Sequence, residues 1–400
     1  MSEPDRPEGL PDGFVLRGAN VVTDGLERAR DVVVSGGLCT AVLEPGSADP
    51  SLPAVDLGGH RLIPGMIDLH VHGAAGHEFV ELAPSVVDGI LAELGRHGVT
   101  SVVATISSEP IGTIVDTLRT FANSARWTAD DGARVLGVHL EGPYLAREQR
   151  GAHRAAVVRA PTSPEVDAIL ADVAALRMVT IAPELPGALD LIASLAGRGV
   201  VVSIGHSAAT PADVAAAQAA GARHFTHLWS GMSNLTRVGP WRRPGLIDTA
   251  LASTGMTAEV IADGKHLPAE LLEIARSCFG LRLCLVSDAI MGAGLPAGTE
   301  FGPPELRCRV EDGVAVVIGA DSFAGSTTLL DGSLRHVVAD LGWGLAESVR
   351  MVTEVPARII GEGHRLGRVA PGYAADYAVL DADLSVRATM RDGRWLHDAS

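Results

Sequence analysis

The chain has 400 residues, of which 47% are apolar and 20% are charged, and its formal net charge is −16. This composition predicts a sizeable core and excludes a globally disordered chain. The acidic balance argues against sequence-independent binding to nucleic acid, which requires a basic surface. A few local arginines could still hold an anionic small molecule.

Cysteine usage and hydropathy predict a cytoplasmic protein with no membrane partner. The four cysteines (Cys39, Cys278, Cys284 and Cys308) form no CxxC pair and no zinc-knuckle spacing, so reduced thiols are expected. Residues 1–13 lack the basic-then-apolar pattern of a signal peptide. No uninterrupted apolar run approaches the ~20 residues that a transmembrane helix needs.

Two kinds of pattern divide the chain. Residues 1–61 and 362–400 contain short β-like runs separated by Gly and Asp, which predicts a small β-rich domain formed by both termini. Residues 62–361 alternate apolar runs of strand length with Ala- and Leu-rich stretches of helical period, which is typical of βα units.

The apolar runs of the middle region give eight candidate strands. They are residues 62–72, 100–106, 134–141, 178–184, 200–206, 224–228, 257–263 and 282–288. Eight strands with intervening helices predict an α/β fold of the (β/α)8 TIM-barrel type. A doubly wound open sheet is the alternative, but no GxGxxG motif follows an early strand.

Metal-binding residue types end five of these strands. In PGMIDLHVHG (residues 64–73), His70 and His72 are two positions apart, so both imidazoles point to the same face of a strand. The other strand ends of this kind are Glu141, His206, His227 and Asp288. The C-terminal ends of barrel strands meet at one face, where such barrels carry their active sites. Four histidines and two carboxylates suffice to hold two divalent ions.

The residue types also suggest a division of roles. Glu141 has two carboxylate oxygens and could bridge two ions. His206 and His227 would bind one ion, and the histidine pair of the first strand would bind the other. Asp288 could bind metal weakly, accept a proton from the attacking water and pass it to a leaving group. Because a metal lowers the pKa of bound water to about 7, the predicted reaction is hydrolysis at a polarised carbonyl or phosphoryl centre.

Three neighbouring polar residues are interpreted as supports. His139 lies on the same strand face as Glu141 but deeper, and is expected to line the barrel instead of binding metal. His224 has the opposite parity to His227 and is expected to point towards the helices. Asp68 is a weaker candidate for support of the metal site.

The motifs, taken in order, resemble the amidohydrolase superfamily and, within it, the N-acetylglucosamine-6-phosphate deacetylases. The motifs are PGMIDLHVHG, GVHLEGPYL (137–145), RGAH (150–153), SIGHS (203–207), FTHLWSGM (225–232), RRPGL (242–246), IADGKH (261–266), LVSDA (285–289), FAGST (323–327), PARIIG (356–361) and LGRVAPGYAADYAVLD (366–381). HLEGP followed in order by GAH, GHS, THL and SDA is a specific combination. The resemblance implies a (β/α)8 barrel with a small β-sandwich domain from both termini.

The resemblance also implies a substrate and residue roles. Members of the family hydrolyse the acetamide of N-acetylglucosamine 6-phosphate to glucosamine 6-phosphate and acetate. Glu141 stands where other amidohydrolases have a bridging carbamylated lysine. His153 would lie near the sugar and its acetamido group, and His266 would polarise the scissile carbonyl. Arg242, with Arg243 as an adjacent possibility, would bind the sugar phosphate from the neighbouring subunit, which implies a homodimer with a shared phosphate site.

The chain departs from the family pattern around the sugar pocket. Ser230 and Gly231 stand where the family has an Asn and an Ala that contact the substrate, and the loop after the sixth strand is longer. Arg243 stands where an acidic residue is usual, and Lys265 where an apolar one is usual. Asn234 could replace the missing amide or form a turn. The predicted metal ligands are unaffected by these departures.

The leading hypothesis is a metal-dependent deacetylase acting on N-acetylglucosamine 6-phosphate. One alternative is an amidohydrolase for a different N-acyl amino sugar or another amide, and a second is a non-catalytic sugar-phosphate-binding homologue. Retention of His70 and His72 favours two ions. Histidine and carboxylate ligands suit Zn, Fe, Mn or Co alike, and zinc is the first expectation. The sugar epimer and the need for phosphate stay open.

Overall fold

Eight parallel strands form the centre of the protein. The structure is a computed structural model that describes residues 13–123, 132–302, 306–320 and 322–398; residues 1–12, within the segment inspected for a signal peptide, lie outside it. The eight strands lie side by side in chain order: Met66–Val71, Val99–Ile106, Arg134–Glu141, Leu176–Ile181, Val201–Ile204, His224–Phe225, Thr257–Ile261 and Leu283–Val286. All are rich in buried apolar residues, as expected for strands covered on both faces.

The sheet closes between its first and last strands. The backbone N–H of Asp288 donates to the carbonyl of His70 (2.9 Å), and the N–H of His72 donates to the carbonyl of Ala289 (2.7 Å). These bonds join the two ends of the parallel sheet. The predicted (β/α)8 barrel is therefore confirmed.

Helices follow the barrel strands and cover their outer face. The α-helices are Pro84–Arg96, Ile111–Asn123, Ser163–Ala171, Ala188–Ala196, Pro211–Ala219, Leu246–Leu251, Ala269–Phe279, Leu330–Arg335, Leu345–Val352 and Glu354–Ile359. Short 3-10 turns (Phe79–Glu81, Arg147–Gln149, Val173–Ala175 and Gly280–Arg282) and a π-helical turn (His336–Asp340) interrupt the connections. No helix in the described part of the chain is long and apolar enough to cross a membrane.

Both termini contribute to one further sheet. Its strands are Gly13–Thr23, Leu26–Ser35, Leu38–Leu43, Ala54–Asp56, Arg61–Pro64, Tyr377–Leu380, Val386–Arg391 and Arg394–Asp398. Phe14, Leu16 and Tyr377 are buried in a core of its own. The β-rich unit predicted from the two termini is confirmed, and its predicted boundaries at residues 61 and 362 stay a prediction.

The chain crosses from the terminal sheet into the barrel at Gly65. The single strand predicted for residues 62–72 is instead two strands, Arg61–Pro64 in the terminal sheet and Met66–Val71 in the barrel. A Cβ atom on residue 65 would lie 2.2 Å from Thr100 Oγ1, so the close approach requires glycine. Apolar character alone does not reveal such a crossing.

Three small β elements lie on the connections that leave the C-terminal ends of the strands. One is a tight hairpin, Gly73–Ala74 with His77–Glu78, and another is an exposed hairpin, Thr236–Val238 with Trp241–Arg243. The third is an antiparallel sheet after the eighth barrel strand, formed by Glu300–Phe301, Cys308–Glu311, Val314–Val317 and Phe323–Ser326. Together they build the surroundings of the barrel mouth.

A buried ion pair connects the barrel to the terminal sheet. Arg134 Nη2 donates to Asp376 Oδ1 (3.0 Å), and both side chains are buried. Replacing Arg134 with Ala should lower the free energy of unfolding by ~3 kcal/mol, because Asp376 would remain buried without its partner. Denaturant unfolding measures this loss. Arg119→Ala is the control: its guanidinium is exposed and pairs with Asp172 at the surface, so a change below ~1 kcal/mol is expected. Equal losses would contradict the prediction.

Candidate active site

The four histidines predicted as metal ligands converge on the carboxylate of Glu141, the last residue of the third barrel strand. The Nε2 atoms of His206 and His227 lie 3.0 and 2.9 Å from Glu141 Oε1. His70 Nε2 lies 3.5 Å from the same oxygen, and His72 Nε2 lies 3.3 Å from Oε2. All five side chains are buried. The predicted ligands thus come together at the C-terminal end of the barrel.

Asp288 completes the cluster. Its Oδ1 atom lies 3.4 Å from His70 Nε2 and 3.3 Å from His72 Nε2. Asp288 and His206 each lie two residues beyond the end of a barrel strand and have left-handed backbone conformations, with φ of 49° and 47°. This conformation costs a non-glycine residue about 1 kcal/mol. The sharp turn directs both side chains into the cluster, which the alternation of a straight strand would not do.

Two of the histidines are oriented by acceptors on their far side. His70 Nδ1 lies 2.7 Å from Glu259 Oε1, and His206 Nδ1 lies 2.8 Å from the carbonyl of Gln149. A carbonyl or carboxylate only accepts, so each Nδ1 carries the hydrogen and each Nε2 presents its lone pair to the cluster. His70 Nε2 is buried with no hydrogen-bond partner. Nitrogen lone pairs and carboxylate oxygens aimed at one centre fit a divalent metal.

The charges of the cluster agree with this fit. Burial acts to raise the pKa of Glu141, but His70 and His153 outweigh it and hold that pKa well below its usual range. Burial also acts to raise the pKa of Asp288, but His70 and His72 outweigh it and lower that pKa. Burial acts to lower the pKa of His72, but Asp288 and Glu141 raise it to about 9, so a metal ion bound here would displace a proton from this imidazole. Both carboxylates are therefore ionised at neutral pH, as metal ligands must be.

A cavity of about 440 Å³ opens above the cluster. Four residues predicted to contact substrate line it: His153, Ser230, Gly231 and His266. His153 Nε2 also lies 3.3 Å from Glu141 Oε2, so it stands beside the metal-binding groups as well as the cavity. The cavity is large enough for a monosaccharide derivative, since small-molecule sites span about 300–1,000 Å³.

His266 is held by a carboxylate that sequence reasoning did not identify. His266 Nδ1 lies 2.7 Å from Asp263 Oδ2, and Ser326 Oγ donates to the same oxygen (2.9 Å). Burial acts to lower the pKa of His266, but Asp263 raises it. Burial acts to raise the pKa of Asp263, but His266 lowers it to about 2. The pair therefore leaves His266 Nε2–H free to donate towards the cavity.

The backbone conformation and the close neighbours of position 231 require a glycine. Its φ is 58°, and a Cβ there would lie 2.4 Å from His206 Nδ1 and 2.9 Å from the Gln149 carbonyl. The hydrogen bond that orients His206 occupies the space of a side chain. The replacement of the family's Ala by Gly is therefore tied to how His206 is held.

The predicted phosphate-binding arginines lie elsewhere. Arg242 and Arg243 are on the exposed hairpin and do not line the cavity of their own chain. Asn234 is also exposed and does not line the cavity, so nothing in the structure supports it as a replacement amide. Among the described cavity residues, Arg154 is the one Lys or Arg, and its Nη2 donates to Glu109 Oε2 (2.6 Å). Sequence reasoning missed this arginine.

The predicted direction of the His224 side chain, towards the helices, was wrong. Its Nε2 lies 3.1 Å from Glu259 Oε2, and the ring is fully buried on the side of the ligand cluster. The strand ends at Phe225, so the alternation does not continue to His227. Glu259 was missed although a charged residue within the apolar run TAEVIA (257–262) is an available signal.

Two further supports lie below the ligands. The His139 ring lies 4.7 Å from the His70 ring, and its Nε2 is 2.8 Å from Thr180 Oγ1. Burial and the neighbouring His70 lower the pKa of His139 to about 3, so it is neutral. Asp68 Oδ1 accepts from the backbone N–H groups of His70 (3.1 Å) and Ser287 (3.3 Å), which ties the first strand to the last.

Comparison with known proteins agrees with this geometry. The model of the Amidohydrolase family matches residues 61–396. The chain belongs to this family. It is 35% identical to an N-acetylgalactosamine-6-phosphate deacetylase of Escherichia coli O157:H7, covering 83% of this chain and 87% of the relative. It is 32% identical to an N-acetylglucosamine-6-phosphate deacetylase of Vibrio furnissii, covering 96% of this chain and 95% of the relative.

Solved structures extend the likeness to three dimensions. An N-acetylglucosamine-6-phosphate deacetylase from Pasteurella multocida superposes with a TM-score of 0.89 at 27% identity, covering 96% of this chain and 99% of that chain. A mutant of the Mycobacterium smegmatis N-acetyl-D-glucosamine-6-phosphate deacetylase, in complex with N-acetyl-D-glucosamine-6-phosphate, gives 0.87 at 32% identity, covering 96% and 100%. The family resemblance predicted from the motifs is confirmed.

Proposed function

We propose that the protein is a metal-dependent deacetylase that hydrolyses the acetamide of N-acetylglucosamine 6-phosphate to glucosamine 6-phosphate and acetate. The observation that carries the proposal is the convergence of His70, His72, His206, His227 and Asp288 around Glu141. This cluster opens into a cavity that His153 and His266 also line. The names and structures of the relatives support the same reaction and substrate.

The donor set supports two divalent ions in this proposal, with zinc as the first candidate. Glu141 Oε1 with His206 and His227 would hold one ion. The same carboxylate with His70 and His72 would hold the other. When bound, the metal would polarise the acetyl carbonyl and lower the pKa of the attacking water.

Asp288 would carry the proton transfers, and His266 would stabilise the negative charge that develops on the carbonyl oxygen. Asp288, ionised beside His70 and His72, takes a proton from the water that attacks the acetyl carbon. The protonated Asp288 then gives that proton to the amine nitrogen as the C–N bond breaks, which releases acetate and the amino sugar. His266, fixed by Asp263, donates from Nε2 to the oxygen on which negative charge develops.

Acetate release from the purified, metal-loaded protein tests the proposal. N-acetylglucosamine 6-phosphate should be hydrolysed with a higher kcat/KM than the same sugar without phosphate. No acetate from any N-acetylhexosamine 6-phosphate would contradict the proposed reaction. A C4 epimer is the second candidate substrate, because a relative named for N-acetylgalactosamine 6-phosphate is 35% identical to this chain. A higher kcat/KM for that epimer would favour it.

A homodimer with a shared phosphate site is part of the proposal. The hairpin that carries Arg242 exposes Trp241 (68%) and Val238 (59%), which supports burial against a second copy of the chain. Arg242→Ala should then raise KM for the phosphorylated sugar by ~10–100-fold, because a charge-assisted hydrogen bond contributes about 1.5–3 kcal/mol. KM for the unphosphorylated sugar should stay unchanged.

Arg237→Ala is the matched control for Arg242. Arg237 faces Arg242 across the same hairpin, and its Nε donates to the carbonyl of Gly239 (2.8 Å). Equal KM values for wild type and Arg242→Ala would remove Arg242 from the phosphate site. Repeating the measurement with Arg243→Ala distinguishes the two adjacent arginines.

We propose a cytoplasmic location. Three of the cysteines, Cys39, Cys284 and Cys308, are free and buried. Burial raises the pKa of each of these thiols, so they remain protonated at neutral pH. Reduced thiols of this kind are typical of a reducing compartment.

A further inference from the structure

Glu259 is a fully buried carboxylate on the seventh barrel strand, Thr257–Ile261. Its Oε1 lies 2.7 Å from His70 Nδ1 and accepts from the backbone N–H of His227 (3.1 Å). Its Oε2 lies 3.1 Å from His224 Nε2. Among the described residues, its hydrogen-bond partners are therefore the rings of His70 and His224 and the backbone N–H of His227.

The contact with His70 differs in kind from those of the other ligand histidines. The Nδ1 partner of His206 is a neutral backbone carbonyl, and that of His72 is the hydroxyl of Ser107 at 3.1 Å. His227 Nδ1 is buried without a hydrogen-bond partner among the described residues. A carboxylate on the far nitrogen makes an imidazole a stronger metal ligand and fixes its orientation. Of the four predicted ligand histidines, Glu259 therefore orients the ring of His70, whereas its contact with His227 is to the backbone N–H.

We propose that Glu259 is a positioning residue that sets the affinity of the ion held by His70 and His72, and so decides whether the protein holds one ion or two. The inference rests on the two-ion part of the proposed function. Glu259 fixes the Nδ1–H form of His70 and directs its Nε2 towards Asp288 Oδ1 (3.4 Å) and Glu141 Oε1 (3.5 Å). The ion of His206 and His227 does not depend on this contact.

Zinc titration of the metal-free full-length protein tests the inference. The wild-type protein should bind two equivalents. Glu259→Gln keeps the size of the side chain but removes its charge. It should lower the affinity for one zinc ion by ~10–100-fold and leave the affinity for the other unchanged. Native mass spectrometry counts the ions, and thermal unfolding checks the fold. Glu259→Asp, whose shorter side chain withdraws the carboxylate from His70, should give the same selective loss if the Gln variant fails to fold.

Two control variants separate the His70 contact from general effects. Glu184→Gln alters a half-buried carboxylate, whose oxygens accept from Ser207 Oγ and the N–H of Ala208, both at 2.7 Å. His224→Gln alters the donor on the other oxygen of Glu259. Both variants should bind two equivalents with affinities within a few-fold of the wild type.

The outcomes distinguish this inference from the proposed function. Unchanged affinities in Glu259→Gln, or equal weakening of both ions in a folded variant, would overturn it. One tight equivalent in the wild-type protein would contradict the two-ion proposal by itself. In that case, a lower affinity for the single ion in both His72→Asn and Glu259→Gln would support the role of Glu259. A lower affinity in His72→Asn alone would overturn that role.

Discussion

Replacing Asp288 with Asn is expected to lower kcat for acetate release by about 10²–10⁴-fold, the usual contribution of a general acid–base group. The amide cannot take a proton from the attacking water or return one to the amine. Its carbonyl oxygen can still face His70 and His72, which lie 3.4 and 3.3 Å from Oδ1 in the native protein. The metal content, counted in the same sample, should therefore remain close to that of the wild type.

The exposed Asp88, on helix Pro84–Arg96, offers a matched control for this substitution. Asp88→Asn makes the same change of charge far from the cavity and should leave kcat unchanged. A metal-loaded Asp288→Asn variant with undiminished kcat would remove Asp288 from the proton transfers. A variant that loses its metal together with its activity would show that Asp288 acts chiefly as a ligand.

Replacing Glu141 with Gln should abolish binding of both ions and lower kcat/KM by at least ~10³-fold. Loss of the electrostatic stabilisation that a metal supplies costs several kcal/mol, on the order of 4, and each 1.36 kcal/mol is tenfold in rate. Glu141 alone among the predicted ligands lies close to the Nε2 atoms of both histidine pairs. A neutral amide cannot bridge two cations with both of its polar atoms, because one of them is a donor.

Metal counting and kinetics in excess zinc together test the Glu141 prediction. Excess zinc should restore little activity, since the shared ligand itself is altered. The comparison with Glu259→Gln is informative, because that variant should lose affinity for one ion only. A Glu141→Gln protein that still binds two ions tightly would show that Glu141 does not bridge them.

The convergence of the candidate metal-binding residues could be predicted because it depends on their positions along strands. His70 and His72 are two positions apart at the end of strand Met66–Val71, and Glu141 is the last residue of strand Arg134–Glu141. His206 and Asp288 were found for a different reason: they follow apolar strands at the correct end of the barrel. Their side chains reach the cluster only through left-handed backbone turns, which no periodicity reveals. The order of the motifs along the chain, which resembles that of the family, also indicated these two residues.

The supporting residues could not be predicted because their roles exist only across strands. Glu259 and Asp263 lie in one apolar run. Nothing in that run indicates that Glu259 contacts His70 or that Asp263 contacts His266. His224 was misplaced for a related reason, since its strand is only two residues long. The exposed hairpin with Arg242 could be recognised as a longer loop, but its projection away from its own cavity depends on tertiary packing.

The hydrogen bonds that close the barrel also have a consequence for folding. His70 and Ser287, which meet there, are separated by 217 positions in the chain. Contacts of such long sequence separation form slowly, since most of the chain's loop entropy must be lost first. Asp288 and the pair His70 and His72 therefore come together only when the last strand docks. In a refolding experiment, the capacity to bind metal should appear with this late step, after most helical structure has formed.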